Sequence, residues 1–343
     1  MTAQHEDPQN DKEESQSLKE VDDFHSRLPL NELKEAVDQI KSELNAIIIG
    51  QESFIEQLIV ALLANGHVLI EGVPGIAKTI TAKLFARTLD TGYSRIQFTP
   101  DLMPSDVLGT SILNRQSSQF EFRPGPVFSN IVLIDEINRA PAKTQSALFE
   151  VMEERQITLD GKRMSMDFPF MVLATQNPIE QEGTYALPEA QLDRFLFKIN
   201  VSYPSLEEEV LILKSHHHRK GEDPLPKIRQ ILNPESLATY RRLTAEVLLE
   251  EKILRYIAEL VLKTRNHPHL FLGGSPRASL AIMHASQAFA AIAGRDFVTP
   301  DDVKRSALPV LCHRLILTPE REMEGMTAES VIDTVIQTTP VPR

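Results

Sequence analysis

The chain has 343 residues, of which 42% are hydrophobic and 24% are charged, and its formal net charge is −12 at pH 7. This length and apolar content exclude a wholly disordered chain and are enough for two domains with cores of their own. The acidic excess argues against nucleic acid as a partner, because proteins that bind its phosphate backbone present a basic surface.

The first residues form an acidic leader. Residues 1–25 contain eight Asp/Glu and two Lys, so we expect residues 1–26 to be disordered. The chain has neither the basic start and apolar stretch of a signal peptide nor a run of 18 apolar residues, so we expect a cytoplasmic protein without membrane insertion. The single cysteine, Cys312, fits a reducing compartment, and we expect it to pack as a small apolar residue.

A phosphate-binding loop is the first motif. The apolar segment from His67 to Ile70 precedes a glycine-bearing turn that ends in Lys78 and Thr79 and opens a predicted helix. Backbone N–H groups of such a loop can surround a phosphate, while the Lys amine bridges phosphate oxygens and the hydroxyl holds Mg²⁺. The pattern predicts a nucleoside triphosphatase, with an ordinary strand-to-helix turn as the alternative.

One position departs from the usual motif, which has Gly immediately before the Lys. This chain has Ala77 there. We expect right-handed helical backbone at this position, which Ala tolerates, although its methyl group leaves less room beside a phosphate. Altered affinity is therefore expected rather than lost binding.

Two later strands supply partner residues. The apolar run from Ile131 to Ile134 ends in Asp135 and Glu136, a Walker B pattern. Asp135 is expected to hold Mg²⁺ together with Thr79, and Glu136 to polarise the attacking water. The next apolar strand leads into Asn177, which can orient water or contact the γ-phosphate. The alternative is a strand that merely ends at charged residues.

Apolar strands alternate with helical patterns up to about residue 201, which is typical of a parallel sheet covered on both faces. The strand candidates are His67 to Ile70, Ile96 to Phe98, Ile131 to Ile134, Phe170 to Thr175 and Leu196 to Val201. Pro204 marks the break to a region of helical spacing, in which Thr299 is predicted to cap a helix that begins at Pro300.

Two hairpins are predicted within the first region. In the insertion between Thr99 and Asn130, apolar residues flank the polar turn 116–118, and in the second segment Asp160-Gly161 lies between alternating residues. The alternative is that both are ordinary surface loops. His216, His217 and His218 are adjacent, which is poor spacing for one metal ion, so we expect a solvated cluster.

These motifs, with Arg194 before the fifth strand and Arg277 after Gly274-Ser275-Pro276, resemble those of an AAA+ ATPase, most closely the MoxR family, over about residues 30–335. The implied fold class is α/β: an AAA+ P-loop αβα core with a parallel five-stranded sheet in the order 5-1-4-3-2, and a smaller all-helical lid domain. The core would cover residues 27–203 and the lid 204–343. The hairpins would be the helix-2 insert (about 100–129) and the pre-sensor-1 hairpin (about 155–168), which line the channel in relatives such as magnesium chelatase, MCM helicases and dynein.

The resemblance also implies functional residues. MoxR relatives commonly carry Ala at the position of Ala77. Glu136, Asn177 (sensor 1), Arg194 (arginine finger) and Arg277 (sensor 2) would be catalytic, with Arg139 as a further finger candidate. Nucleotide-binding positions would be Ile49, Gly50, Gln51, Gly72, Val73, Pro74, Gly75, Ile76, Ala77, Lys78, Thr79, Ile80 and Asp135.

The implied activity is hydrolysis of ATP with Mg²⁺ at the subunit interfaces of a ring, expected to be a hexamer. MoxR relatives act as chaperone-like ATPases in the maturation or assembly of protein complexes, often with a partner that carries a von Willebrand factor A domain. The expected partners are therefore further copies of the chain, a client protein and such a partner. A DNA-acting motor of the MCM class and a nucleotide-dependent scaffold with little hydrolysis are the alternatives.

Overall fold

The computed structural model describes residues 27–342 except 74, 117, 160, 179–182, 220–224 and 226–227. The predicted acidic leader lies outside the described residues. The strands are β1 His67–Glu71, β2 Tyr93–Gln97, β3 Gly109–Asn114, β4 Gln119–Pro124, β5 Ile131–Asp135, β6 Gln156–Leu159, β7 Lys162–Ser165, β8 Met171–Gln176, β9 Phe195–Asn200, β10 Leu270–Leu272 and β11 Ile316–Leu317. The α-helices are α1 Asn31–Asn45, α2 Glu52–Leu63, α3 Lys78–Thr88, α4 Pro104–Leu108, α5 Ala142–Glu154, α6 Glu189–Leu192, α7 Leu206–Arg219, α8 Pro234–Ala245, α9 Glu251–Arg265, α10 Pro276–Ile292, α11 Pro300–Leu311, α12 Pro319–Met323 and α13 Ala328–Thr338.

The central sheet has five parallel strands in the order β2-β5-β8-β1-β9. Numbered along the chain, this is the predicted order 5-1-4-3-2, which is confirmed. Alternate residues of β5 enter two different cores: Ile131 and Leu133 pack with α1, α2, α3 and the lid, whereas Val132 and Ile134 pack with α5. Apolar residues at successive positions therefore make this strand, because a parallel sheet is buried on both faces.

The two predicted hairpins are present as antiparallel pairs. β3 pairs with β4 after the short helix α4, and β6 pairs with β7. Ser117 and Asp160, which the sequence placed in the turns, lie outside the described residues. The side chain of Phe120 on the first hairpin is 72% exposed, so this hairpin presents an apolar tip to the surroundings.

The second region is built from the helices α7 to α13. The helix α11 begins as predicted: the N–H and hydroxyl of Thr299 both donate to Oδ2 of Asp302, at 2.8 and 2.7 Å. In addition to the helices, β10 and β11 form a short antiparallel pair, because the chain leaving α11 returns beside the segment that precedes α10. Cys312 is partly buried, as expected, and burial raises the pKa of its thiol to about 12. No helix among the described residues is long and apolar enough to cross a membrane.

A buried arginine joins this second region to the sheet. Arg314, which follows α11, donates from Nε to Oδ1 of Asp193 at 2.7 Å and from Nη2 to the carbonyl oxygen of Phe195 at 2.6 Å. Its side chain is only 4% exposed. Burial lowers the pKa of Arg314, and the hydrogen bond to Asp193 opposes that effect. The start of β9 is thus held by a cation from the lid.

The loop between β1 and α3 differs from the sequence expectation. Ala77 has φ 62° and ψ 15°, which is left-handed backbone, so the predicted right-handed conformation is wrong. The side-chain amine of Lys78 turns back to the carbonyl oxygen of Gly72, and Gly75 also has a positive φ of 88°. The loop therefore holds Ala77 in a conformation that costs an L-residue about 1–2 kcal/mol.

This strain predicts the effect of substitutions at Ala77. Ala77→Gly should leave the free energy of unfolding unchanged or raise it by up to about 1 kcal/mol, because glycine adopts positive φ without steric cost. Ala77→Val should lower it by about 1–2 kcal/mol, since β-branched residues are outliers there. Thermal or urea unfolding measures both.

Ala82 in the middle of α3 provides a matched control, because it is buried in regular helix. Ala82→Gly should destabilise the protein by about 1 kcal/mol or more, opposite in direction to Ala77→Gly. Equal losses at the two positions would contradict the left-handed assignment.

The buried Arg314 leads to a second prediction. Asp193→Asn keeps the size of the side chain but leaves a buried cation without its carboxylate, so the free energy of unfolding should fall by about 3 kcal/mol. The exposed pair of Arg321 and Glu324 is the control, and Glu324→Gln should cost about 0.5 kcal/mol or less. Urea unfolding of both variants makes the comparison, and similar small losses would show that Asp193 is not needed to stabilise the Arg314 charge.

Candidate nucleotide-binding site

A cavity of about 410 Å³ lies beyond the carboxyl ends of β1, β5 and β8, where open parallel sheets bind ligands. The residues that line it come from the loop after β1, from β2 and from the ends of β5 and β8. They are Gly75, Ala77, Lys78, Thr79, Ile80, Arg95, Gln97, Asp135, Glu136, Thr175, Gln176 and Asn177. The structure therefore brings the predicted loop, the two Walker B carboxylates and Asn177 to one cavity.

The loop itself is closely packed at its base. A Cβ atom at Gly72 would lie 2.5 Å from Cδ1 of Ile76 and 2.8 Å from the carbonyl oxygen of Val201, so only glycine fits there. The amine of Lys78 contacts the Gly72 carbonyl within the loop. Of the predicted loop positions, Pro74 lies outside the described residues. A cation enclosed by a backbone turn at the start of a helix is suited to bind phosphate.

Asp135 is the most constrained carboxylate of the cavity. Its Oδ1 accepts hydrogen bonds from the hydroxyls of Thr79 at 3.3 Å and Thr175 at 3.1 Å, and the residue is buried. Carboxylate and hydroxyl oxygens are the hard ligands that Mg²⁺ prefers, usually together with waters and substrate phosphates. The donor set of Thr79 and Asp135 therefore fits Mg²⁺.

Two residues of β2 hold the two Walker B carboxylates. Nε of Arg95 donates to Oδ2 of Asp135 at 2.6 Å, and Nε2 of Gln97 donates to Oε2 of Glu136 at 2.7 Å. The same Glu136 oxygen lies 3.1 Å from Nε of Arg139. Glu136 has left-handed backbone, with φ 59°. Strained backbone of this kind is frequent at functional sites and persists only where the surrounding structure holds it in place.

Sequence reasoning missed Arg95, Gln97 and Thr175. The first two alternate along β2, so both point to one side of the strand, and β2 pairs directly with β5. Alternation of polar residues in a strand adjacent to Walker B is the signal that could have found them. Nothing local to the sequence marks Thr175.

A second cavity of about 400 Å³ adjoins the first and shares Gly75, Ala77 and Ile80 with it. Its other walls carry mainly apolar residues of the segment before α2, the loop, and α7. They include Ile47, Ile48, Ile49, Gly50, Gln51, Ile76, Tyr203, Ile212 and Leu213. Nε2 of Gln51 donates to the carbonyl oxygen of Ile76 at 2.9 Å and so joins the segment to the loop. An apolar cavity beside a phosphate loop can hold a flat base.

Arg194 and Arg277 lie elsewhere. Both contact Glu153: Nε of Arg194 is 3.9 Å from Oε2, and Nη2 of Arg277 donates to Oε1 at 2.7 Å. A cleft that Arg194 and Arg277 both line also borders Gly66 and His67. It lies at the opposite end of β1 from the cavity lined by Lys78 and Asp135 (the triphosphate cavity). A strand of this length spans roughly 16 Å, so neither arginine lines the cavity of its own protomer.

The histidine cluster carries no metal geometry. His216, His217 and His218 are exposed on α7. In the part of the chain that the structure describes, no group of three His, Cys, Asp or Glu side chains is placed to hold a metal ion.

Comparisons with known proteins identify relatives of the chain. The family model described as "ATPase family associated with various cellular activities (AAA)" matches residues 67–197, and the AAA lid domain model matches residues 262–335. Chaperone MoxR1 of Mycobacterium tuberculosis is 46% identical over 310 residues, which cover 88% of this chain and 81% of that protein. An uncharacterized protein of Bacillus subtilis is 47% identical over 301 residues, covering 87% and 92%.

More distant relatives extend the match to nearly the whole chain. Protein MoxR of Paracoccus denitrificans is 29% identical over 349 residues, covering 94% of this chain and 98% of that protein. The crystal structure of a proposed ATPase of Cytophaga hutchinsonii superposes with a TM-score of 0.83 at 38% identity, covering 90% of this chain and 96% of that one. From its motifs, its sheet order and these relatives, the chain belongs to the MoxR family of AAA+ ATPases.

Proposed function

We propose that the chain hydrolyses ATP in the cavity described above and uses the cycle to remodel client proteins. One observation carries the proposal: the Lys78-Thr79 loop and the Asp135-Glu136 pair meet in a single cavity that adjoins an apolar one. That arrangement supports a nucleoside triphosphate with its base beside Ile49 and its phosphates at Lys78.

The cavity residues then divide the work. Lys78 and the N–H groups of the loop bind phosphate oxygens, and Thr79 and Asp135 would hold Mg²⁺. When bound, Mg²⁺ offsets the charge that develops on the transferred phosphoryl group. Glu136 takes a proton from the attacking water, and Asn177 orients that water. Gln97 and Arg139 fix the carboxylate of Glu136 through its Oε2 atom.

The position of Arg194 and Arg277 supports action between protomers. They lie at the opposite end of the sheet from their own cavity and are partly exposed there. A second copy that presents its cavity to this face would receive both guanidinium groups, as an arginine finger requires. We therefore propose a ring of protomers, expected to be a hexamer. Arg139, which pairs with Glu136 of its own protomer, remains a further finger candidate.

Client remodelling is the proposed output. It is supported by the name of the relative Chaperone MoxR1 and by the exposed apolar tip of the β3–β4 hairpin. A partner with a von Willebrand factor A domain remains part of the proposal through the family resemblance. The net charge of −12 argues against the DNA-acting alternative. DNA-stimulated turnover would favour that motor, and negligible hydrolysis by the intact protein would favour the scaffold.

The assigned base gives a direct test. Glu136→Gln should reduce kcat at least about a hundredfold, because general base catalysis contributes roughly 10²–10⁴-fold, while ATP still binds and the oligomer accumulates. Phosphate release and nucleotide binding are measured on the same preparation. Glu154→Gln, at an exposed position on α5, is the control and should turn over normally. Unchanged hydrolysis by Glu136→Gln would reject the base.

Mixing two inactive variants tests action between protomers. Arg194→Ala keeps every residue of its own cavity but lacks the arginine finger. Lys78→Ala lacks the amine that binds phosphate but keeps the arginine finger. Each alone should be inactive, since an arginine finger contributes roughly 10³–10⁵-fold. Mixed, they should regain part of the ATPase rate, because some interfaces then combine an intact cavity with an intact finger.

Two controls complete the mixing experiment. The double variant Arg194→Ala/Lys78→Ala should not restore the ATPase rate when it is mixed with either single variant, because no interface then combines Lys78 with Arg194. Arg255→Ala, which removes an exposed arginine of α9, should retain normal activity. Absence of rescue in the mixture, with both variants assembling normally, would place Arg194 outside the neighbour's site.

A further inference from the structure

Arg95 stands out among the residues of the triphosphate cavity. It is the only arginine among the described residues that line this cavity. Its guanidinium lies 2.6 Å from Oδ2 of Asp135, at the distance of a charge-assisted hydrogen bond. The side chain of Arg95 is 53% exposed, whereas that of Asp135 is 7% exposed. A largely exposed cation therefore reaches inward to the most buried carboxylate of the site.

The contacts of Asp135 explain what the arginine does there. The hydroxyls of Thr79 and Thr175 donate to Oδ1 of Asp135, whereas Arg95 donates to Oδ2. A buried carboxylate without an opposite charge is costly, and an arginine beside it offsets that cost. Arg95 lies on β2, an edge strand of the sheet, and its half-exposed side chain lines the cavity and is not buried in a core. The ion pair between Arg95 and Asp135 therefore lies at the cavity and does not connect parts of a hydrophobic core.

A bound Mg²⁺ would need the same carboxylate. Two cations that share one carboxylate group repel each other, and the repulsion is strongest in a partly buried site. We propose that Arg95 is the resident counter-cation of Asp135 and that Mg²⁺ displaces it from this carboxylate. The proposal rests on the proposed ATPase function and adds to it an assignment for a residue that neither the Walker motifs nor the sensors include.

If Mg²⁺ displaces Arg95 from Asp135, Arg95 should affect the affinity for metal-free ATP and the affinity for Mg-ATP in opposite directions. Without Mg²⁺, Arg95 offsets the negative charge of Asp135 and so helps an anionic triphosphate to bind. With Mg²⁺, Arg95 competes with the metal and so opposes it. Removing the arginine should therefore weaken metal-free ATP binding while leaving Mg-ATP binding equal or tighter. A side chain that only shaped the cavity would change both affinities in the same direction.

The experiment measures ATP affinity with EDTA and with excess Mg²⁺, on full-length protein carrying Glu136→Gln so that turnover does not interfere. Adding Arg95→Ala should raise the ratio of the metal-free Kd to the Mg-ATP Kd by about tenfold, the size expected for one hydrogen bond between charged groups. Arg95→Lys keeps the charge and should change the ratio less. Arg123→Ala removes an exposed arginine of β4 and should leave it unchanged.

A second measurement needs neither nucleotide nor turnover. Mg²⁺ alone should raise the unfolding temperature of Arg95→Ala more than that of the parent, because ligands stabilise the state that binds them more tightly. Equal ratios in Arg95→Ala and its parent, or a uniform loss of both affinities with normal unfolding, would overturn the assignment of Arg95 while leaving ATP binding intact. If the parent fails to bind Mg-ATP, the proposed function itself is rejected.

Discussion

The buried carboxylate of Asp135 is the group around which the site is organised. A charge in such surroundings persists only when hydrogen bonds and opposite charges compensate its lost hydration. Those partners come from three other elements: Thr79 at the start of α3, Thr175 on β8 and Arg95 on β2. The phosphate loop and the strands on both sides of β5 are therefore held at fixed distances from one carboxylate.

The parallel pairing of the sheet makes that convergence possible. Gln97 is the register partner of Asp135, and Ile134 pairs with both Ile96 and Ala174. The residues that follow these positions emerge at one edge of the sheet, where Glu136 and Thr175 meet through the backbone N–H of Glu136. In β5 and β8 the apolar residues are buried within the sheet, and the polar residues follow at the carboxyl ends of the strands.

Features that depend on neighbouring residues in the chain were predicted from the sequence, whereas contacts between residues far apart in the chain were not. The loop, Walker B and the cap at Thr299 are contiguous motifs, and the sheet order came with the family resemblance, so these were accessible. The prediction for Ala77 was wrong because it assumed that helical backbone already starts at this residue, whereas the helix begins at Lys78 and Ala77 lies before it with left-handed backbone. Arg95 and Gln97 were missed because their partners lie about 40 residues away along the chain.

The arginines of the opposite face show a different limit. Sequence position identified Arg194 and Arg277 as candidates, but it could not show that one carboxylate, Glu153, lies between them. Nor could it show that Asp193, the neighbour of Arg194, receives the buried Arg314 of the second region.

Those contacts join the proposed finger to the lid. Arg277 belongs to α10 and Arg194 to the core, so Glu153 on α5 is contacted from both regions at once. The apolar cavity beside the loop is also lined by Ile212 and Leu213 of α7, which begins the second region. A change in the angle between lid and core would therefore alter the walls of one nucleotide cavity and, at the other end of the sheet, the spacing of the two arginines. If Arg194 and Arg277 act on the next protomer, as proposed, the same rigid-body movement would link the occupancy of a protomer's own site to these arginines, because the Asp193–Arg314 ion pair joins the lid to the residue beside Arg194.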